Sequence, residues 1–127
     1  MKQILAWGIL LAITPWAAAN ADPALYNMSV KDVPVENGKA LDMSFDELSR
    51  TADSSVVQIT RRSGGSVSSS MFVMRGMCAL TRLRDAQYFV AERMASDAGR
   101  YTVTFLQAPP DARTTGFSLA QCDLMRL

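Results

Sequence analysis

Arg61-Arg62-Ser63-Gly64-Gly65-Ser66 is the stretch of this chain whose residue types most readily suggest chemistry. A glycine-rich turn ahead of a helix offers backbone N–H groups to an anion, and flanking arginines add charge. Arg61, Arg62, Gly64, Gly65 and Ser66 are therefore a candidate site for phosphate, sulfate or carboxylate. The same residues also suit a plain strand-to-helix turn, because Gly-Gly relaxes a tight turn and serines cap helices. No P-loop spacing accompanies them, so the segment reads as a turn first.

Catalytic constellations are scarce. The chain has no histidine, which removes Ser-His-Asp and Cys-His nucleophiles and the commonest zinc sites. Lys31 and Lys39, the lysines beyond Lys2, stand in no S-x-x-K arrangement. No dinucleotide fingerprint, Walker A or nucleophile elbow occurs. What remains for an enzyme is carboxylate and arginine chemistry, and it needs several of Asp46, Glu47, Arg61, Arg62 and Glu92 in one pocket. Scattered outward, those groups point instead to a binding or interaction role. Met71, Met74 and Met77, followed by Cys78, are soft-ligand types suited to Cu(I). Steps of three drift around a helix, however, and methionine on an apolar helix usually fills core. Neither a metal site nor a cofactor is expected.

Residues 1–21 have the parts of a secretory signal. Lys2 is the positive end, Ile4–Ile13 the apolar run, and Ala17-Ala18-Ala19 or Ala19-Asn20-Ala21 the cleavage site. The apolar run is shorter than the ~20 residues of a membrane-crossing helix. An exported, periplasmic protein with no membrane span after cleavage is expected. Its two cysteines, Cys78 and Cys122, are an even count far apart in sequence, and a structural disulfide follows in an oxidising compartment. Once Lys2 leaves with the signal, basic and acidic side chains balance, which argues against a dedicated nucleic-acid binder. The front of the mature chain is acidic and its centre is basic. The two can fold onto each other or be solvated separately.

Residues 22–37 read as an extended lead-in with a short strand near Ala24–Val30, and residues 38–127 as one small domain. Asn27-Met28-Ser29 matches the N-glycosylation pattern, relevant only in a eukaryotic secretory route. Ser44 and Glu47 have capping-box spacing, which predicts a short helix with Phe45, Leu48 and Ala52 on one side. Ser54–Thr60 is rich in β-branched residues and reads as a strand with Val57 and Ile59 on one face. Ser68–Arg84 reads as the main apolar helix, capped by Ser68 or Ser69, with Arg75 and Arg82 wet. Gln87–Met94 and Arg100–Leu106 pair as a hairpin around Ser96–Gly99. Pro109-Pro110 ends the sheet, and Ser118…Gln121, a second capping box, makes FSLAQCDLM a short helix. The resulting fold class is α+β: three to four strands, antiparallel or mixed, packed by one main apolar helix and one or two short helices.

The order of strand, polar turn, apolar helix and Tyr-Phe strand in SSSMFVMRGMCALTRLRDAQYFV, residues 68–90, resembles small exported proteins of Gram-negative bacteria with a domain of unknown function. The resemblance covers about a fifth of the chain and brings no catalytic motif, so no functional residue is carried over from it. The reading overall is a non-catalytic periplasmic domain that binds an envelope protein or a small ligand. The alternatives are the carboxylate/arginine enzyme and a small-anion binder built on residues 61–70.

Overall fold

The computed structural model describes residues 24–34 and 40–127. The expected signal peptide, both cleavage sites and the Asn37-Gly38 turn lie outside the described residues. Strands β1 (Asn27–Pro34), β2 (Ala40–Arg50) and β3 (Ser54–Ser63) precede helix α1 (Ser66–Leu83). Then come β4 (Tyr88–Arg93), β5 (Arg100–Leu106), β6 (Phe117–Ser118) and helix α2 (Leu119–Leu124). The strands form one six-stranded sheet in the order β1-β2-β3-β5-β4-β6, antiparallel at every pairing. It curls into a half-barrel. Register shifts at Val30/Val33, Asp42/Met43 and Glu47/Ser49 place an extra residue on β1, β3 and β2 respectively, and an extra residue on one strand bends and twists it.

The expected fold class is thereby corrected. The molecule is mostly sheet, with six strands, rather than a three- to four-stranded sheet packed by a main helix. The error lies at Ser44–Glu47, read as a helix start and found in the middle of β2. Leu41, Met43, Phe45 and Glu47 are buried in alternation with partly exposed Asp42, Ser44 and Asp46. That is the period of a strand, not of a helix. Leu48, expected beside Phe45, is 41% exposed, whereas Phe45 is fully buried.

The smaller expectations fare better. The strand at Ser54 runs on to Ser63, and the hairpin forms with Tyr88 opposite Leu106 and Arg93 opposite Tyr101. The lead-in contributes β1 over Asn27–Pro34, slightly later than expected. The helix starts at Ser66 with Gly65 as its N-cap and no side-chain cap bond, so neither Ser68 nor Ser69 caps it. Ser69 Oγ donates instead to Gly65 O at 2.6 Å. At the other end of the chain, the Ser118–Gln121 capping box opens α2 with both reciprocal bonds in place.

Inward-facing side chains of the curled sheet and the buried face of α1 make the core: Phe45, Val57, Phe89, Val103 and Phe105 meet Phe72, Met77 and Leu80. Each large apolar side chain so buried contributes about 1.5–3 kcal/mol. Gly76 sets how closely α1 approaches β2. A Cβ there would lie 2.6 Å from the Phe45 ring. Cys78 and Cys122, both fully buried, form a disulfide with Cα atoms 6.0 Å apart. It ties α2 to α1 on the core side, and Arg82 reinforces the tie by donating to Asp123 Oδ1 at 2.8 Å and to Leu127 O at 2.6 Å.

Candidate functional site

The inward positions of β3, β5 and β4 form rows across the curled sheet. Phe105 lies opposite Phe89 and Val103 opposite Ala91; Tyr101 lies between Val57 on β3 and Arg93 on β4. Further along β3, Ile59 and Arg61 face inward beside Phe45 and Met43 of β2. Phe105 and Phe89 are buried, whereas Tyr101 is only partly covered and Arg93 is exposed. The concave face is therefore closed at one end and open at the other.

At the open end lies a cleft of about 620 Å³. Met43, Ile59, Val73, Met74 and Tyr101 form its walls, and Arg61, Arg93, Ser69, Ser70 and Gly99 also line it. Each comes from an identifiable local feature. Val73, Met74, Ser69 and Ser70 belong to the first half of α1. Gly99 sits in the β4–β5 turn at φ +74° and accepts a hydrogen bond from the Ile59 backbone N–H at 2.8 Å. A Cβ on Gly99 would meet Ile59 O at 2.5 Å, so only glycine lets this turn close against β3.

The polar groups of the cleft are unequal. Both serine hydroxyls donate to carbonyls of their own helix, Ser69 to Gly65 and Ser70 to Ser66. Arg61 and Arg93 have no carboxylate partner among the described residues. Among the described residues no acidic side chain lines the cleft. It therefore combines apolar residues with two guanidinium groups that no described carboxylate neutralises, an arrangement that favours anions.

At the closed end the chemistry is reversed. The fully buried Glu47 carboxylate accepts from Arg50 Nη2 at 2.5 Å, Arg50 Nε at 3.0 Å, Ser55 Oγ at 2.5 Å and the Tyr26 backbone N–H at 2.9 Å. Arg84 approaches the same carboxylate at 3.7 Å, donates to Ser55 Oγ at 2.7 Å and Ser54 O at 3.1 Å, and also donates to Thr51 O. Its guanidinium lies 4.9 Å over the Phe105 ring. Burial pushes the Glu47 carboxyl up, but the hydrogen bonds from Arg50, Ser55 and the Tyr26 backbone, with the Arg50 charge, outweigh it. Its pKa lies below the usual carboxylate value. No buried side-chain nitrogen or oxygen among the described residues lacks a partner, as a buried network requires.

The residues of the candidate anion site separate. Arg61 lines the cleft. Arg62, next along the strand, pairs with Asp42 of β2 at 3.2 Å. Gly64 adopts φ +142°, and a Cβ there would lie 2.5 Å from Leu41 Cδ1; Gly65 is the helix N-cap, and Ser66 is exposed at the first turn. The five groups named for carboxylate and arginine catalysis are likewise dispersed. Asp46 is half-buried on β2 opposite Gln58, Glu47 is enclosed in its network, Arg61 lines the cleft, Arg62 is paired with Asp42, and Glu92 is exposed on β4. Met71, Met74 and Met77 diverge: Met71 is 39% exposed, Met74 faces the cleft and Met77 is buried. Cys78 is bonded to Cys122 and is not a ligand in this state.

Arg93 and Tyr101 had no place among the sequence-based candidates. Their signal was present in the hairpin. Tyr101, Val103 and Phe105 share one face, and the pairing puts Arg93 beside Tyr101 on it. An arginine on an otherwise apolar face marks either a buried ion pair or an open site. Comparison with family models, curated proteins and solved structures returns no match.

Proposed function

We propose that the mature chain is an exported, periplasmic, non-catalytic domain that binds a small ligand in the cleft beside α1. The observation that carries this reading is the cleft itself: about 620 Å³, lined by Met43, Ile59, Val73, Met74 and Tyr101 together with Arg61 and Arg93. Ligand sites typically occupy roughly 300–1,000 Å³ with mostly apolar walls and few polar groups. The signal-like residues 1–21 support export, as does the likeness of residues 68–90 to exported proteins of Gram-negative bacteria. The buried Cys78–Cys122 disulfide suits an oxidising compartment. Among the described residues no helix is long and apolar enough to cross a membrane.

Binding is favoured over catalysis because general acid–base chemistry usually pairs an acid with a base in reach of the ligand. Tyr101 lines the cleft, but no carboxylate among the described residues joins it there, and the arginines stay protonated. The carboxylate that the structure most strongly engages, Glu47, belongs to the closed network instead. A neutral apolar dye, N-phenyl-1-naphthylamine, tests the reading by fluorescence titration. Saturable one-to-one binding is expected for the mature protein. It should be lost in Ser70→Trp, where an exposed position at the cleft receives a bulky ring. Non-saturable binding, or binding indifferent to that substitution, would refute it.

A further inference from the structure

We infer that the ligand of the cleft is a single-chain anionic amphiphile, whose headgroup is held by Arg61 and Arg93 while its alkyl chain lies against Met43, Ile59, Val73 and Met74. This rests on the cleft being a ligand site, and it adds the chemical class of the ligand. Three observations carry it. First, the donors are selective. The Ser69 and Ser70 hydroxyls are committed to Gly65 O and Ser66 O, so the side-chain N–H donors lining the cleft belong to Arg61 and Arg93.

Second, the charge is uncompensated. Among the described residues Arg50, Arg62, Arg82, Arg84 and Arg100 each meet a carboxylate within 4.0 Å. Arg61 and Arg93, like Arg75, Arg113 and Arg126, do not, but Arg61 and Arg93 alone of these line the cleft, and no acidic group among the described residues lines it with them. A neutral ligand would leave this pair of like charges unrelieved, whereas one anion complements both through charge-assisted hydrogen bonds.

Third, the rest of the lining is unsuited to a small hydrophilic anion. A free phosphate could meet the arginines but would leave Met43, Ile59, Val73 and Met74 uncovered and unused. An alkyl chain matches those walls, and the unbranched Met43 and Met74 side chains can adjust to it. Large polar ring systems would have no hydrogen-bonding partner on the Ile59–Val73 side.

Displacement of the neutral dye, in buffer of low ionic strength to limit screening, tests the inference. Dodecanoate should displace it, and dodecanol, with the same chain and no charge, should do so at least roughly tenfold more weakly. Arg61→Ala with Arg93→Ala should cut dodecanoate affinity by roughly tenfold or more relative to any change in dye affinity, measured by direct dye titration of the same variant. Inorganic phosphate alone should not displace the dye. Equal binding of dodecanol and dodecanoate, or dodecanoate affinity unaltered in the double variant, would overturn the anionic assignment and leave the ligand cleft standing. Failure of the dye itself to bind would overturn the cleft. A further arm adds vesicles of anionic phospholipid: cosedimentation through the same arginines, without displacement by free dodecanoate, would overturn the single-chain ligand in favour of a membrane surface.

Discussion

At the closed end of the concave face, Arg84 lies over the Phe105 ring and meets Glu47, Ser55 and two backbone carbonyls. At the open end, Arg61 and Arg93 face the cleft without a carboxylate among the described residues. The two ends are built on the same sheet from the same residue type. They differ in whether the protein itself supplies the counter-charge. Where it does, arginine becomes part of the fold: Arg84 is 9% exposed and ties the α1 C-terminus to the β2–β3 turn. Where it does not, arginine adds little to stability and remains available to an outside anion. An exposed, uncompensated arginine at the mouth of an apolar cleft is thus a better pointer to a ligand than a buried, fully paired one.

The largest test of this contrast is Glu47→Ala. It strands the buried Arg84 charge and should cost about 3–5 kcal/mol in urea unfolding. A loss below about 1 kcal/mol would show that the closed end is not the structural half. The same carboxyl predicts acid sensitivity. Its pKa is lower in the folded than in the unfolded chain, so its stabilisation is complete above the ordinary carboxylate value. That stabilisation fades as the pH falls through the folded value. Glu47→Gln should flatten this part of the stability–pH curve, which thermal melts across acidic buffers would detect.

Reduction of the disulfide should have a smaller effect, about 2–4 kcal/mol for a bond spanning 44 residues. Cys122→Ser should release α2 while β3 and β5 keep their protection. Amide hydrogen exchange distinguishes this from global loosening, which would mean that the disulfide holds the sheet as well as the tail. The smallest effect is expected at the open end. Arg61→Ala with Arg93→Ala should change stability by no more than about 0.5 kcal/mol without ligand. A loss comparable to that of Glu47→Ala would erase the distinction between the two ends.

Much of the sheet was legible in the chain because the relevant signals are local. Tyr101, Val103 and Phe105 alternate with threonines, and turn residues separate them from the preceding strand, so the β4–β5 hairpin follows directly. Ser118 and Gln121 make both reciprocal bonds of their capping box. Ser44 and Glu47 have the same spacing and make neither a cap nor a helix. Glu47 instead takes hydrogen bonds from Arg50, three residues on, and from Tyr26 and Ser55, 21 and 8 residues away. The same spacing thus has two outcomes, and strand partners brought from elsewhere help to decide between them. The alternation of Leu41, Met43 and Phe45 was the better guide to β2, since it reports which side meets the core.

By itself, the sequence determined the features that depend on neighbours in the chain: the period of the strands, the turn at Gly64-Gly65, the apolar helix after it, and two cysteines available for one bond. Only the tertiary structure decided the rest. The pleat of β3 sends Arg61 to the cleft and Arg62 to Asp42 although they are adjacent, and strand pairing brings Arg93 to the same face as Tyr101. At that end a cleft remains between the face and the first half of α1. Side-chain direction follows from the two-residue period of a strand, but what lies opposite it follows from which strands pair, and long-range pairing is not written in any single segment.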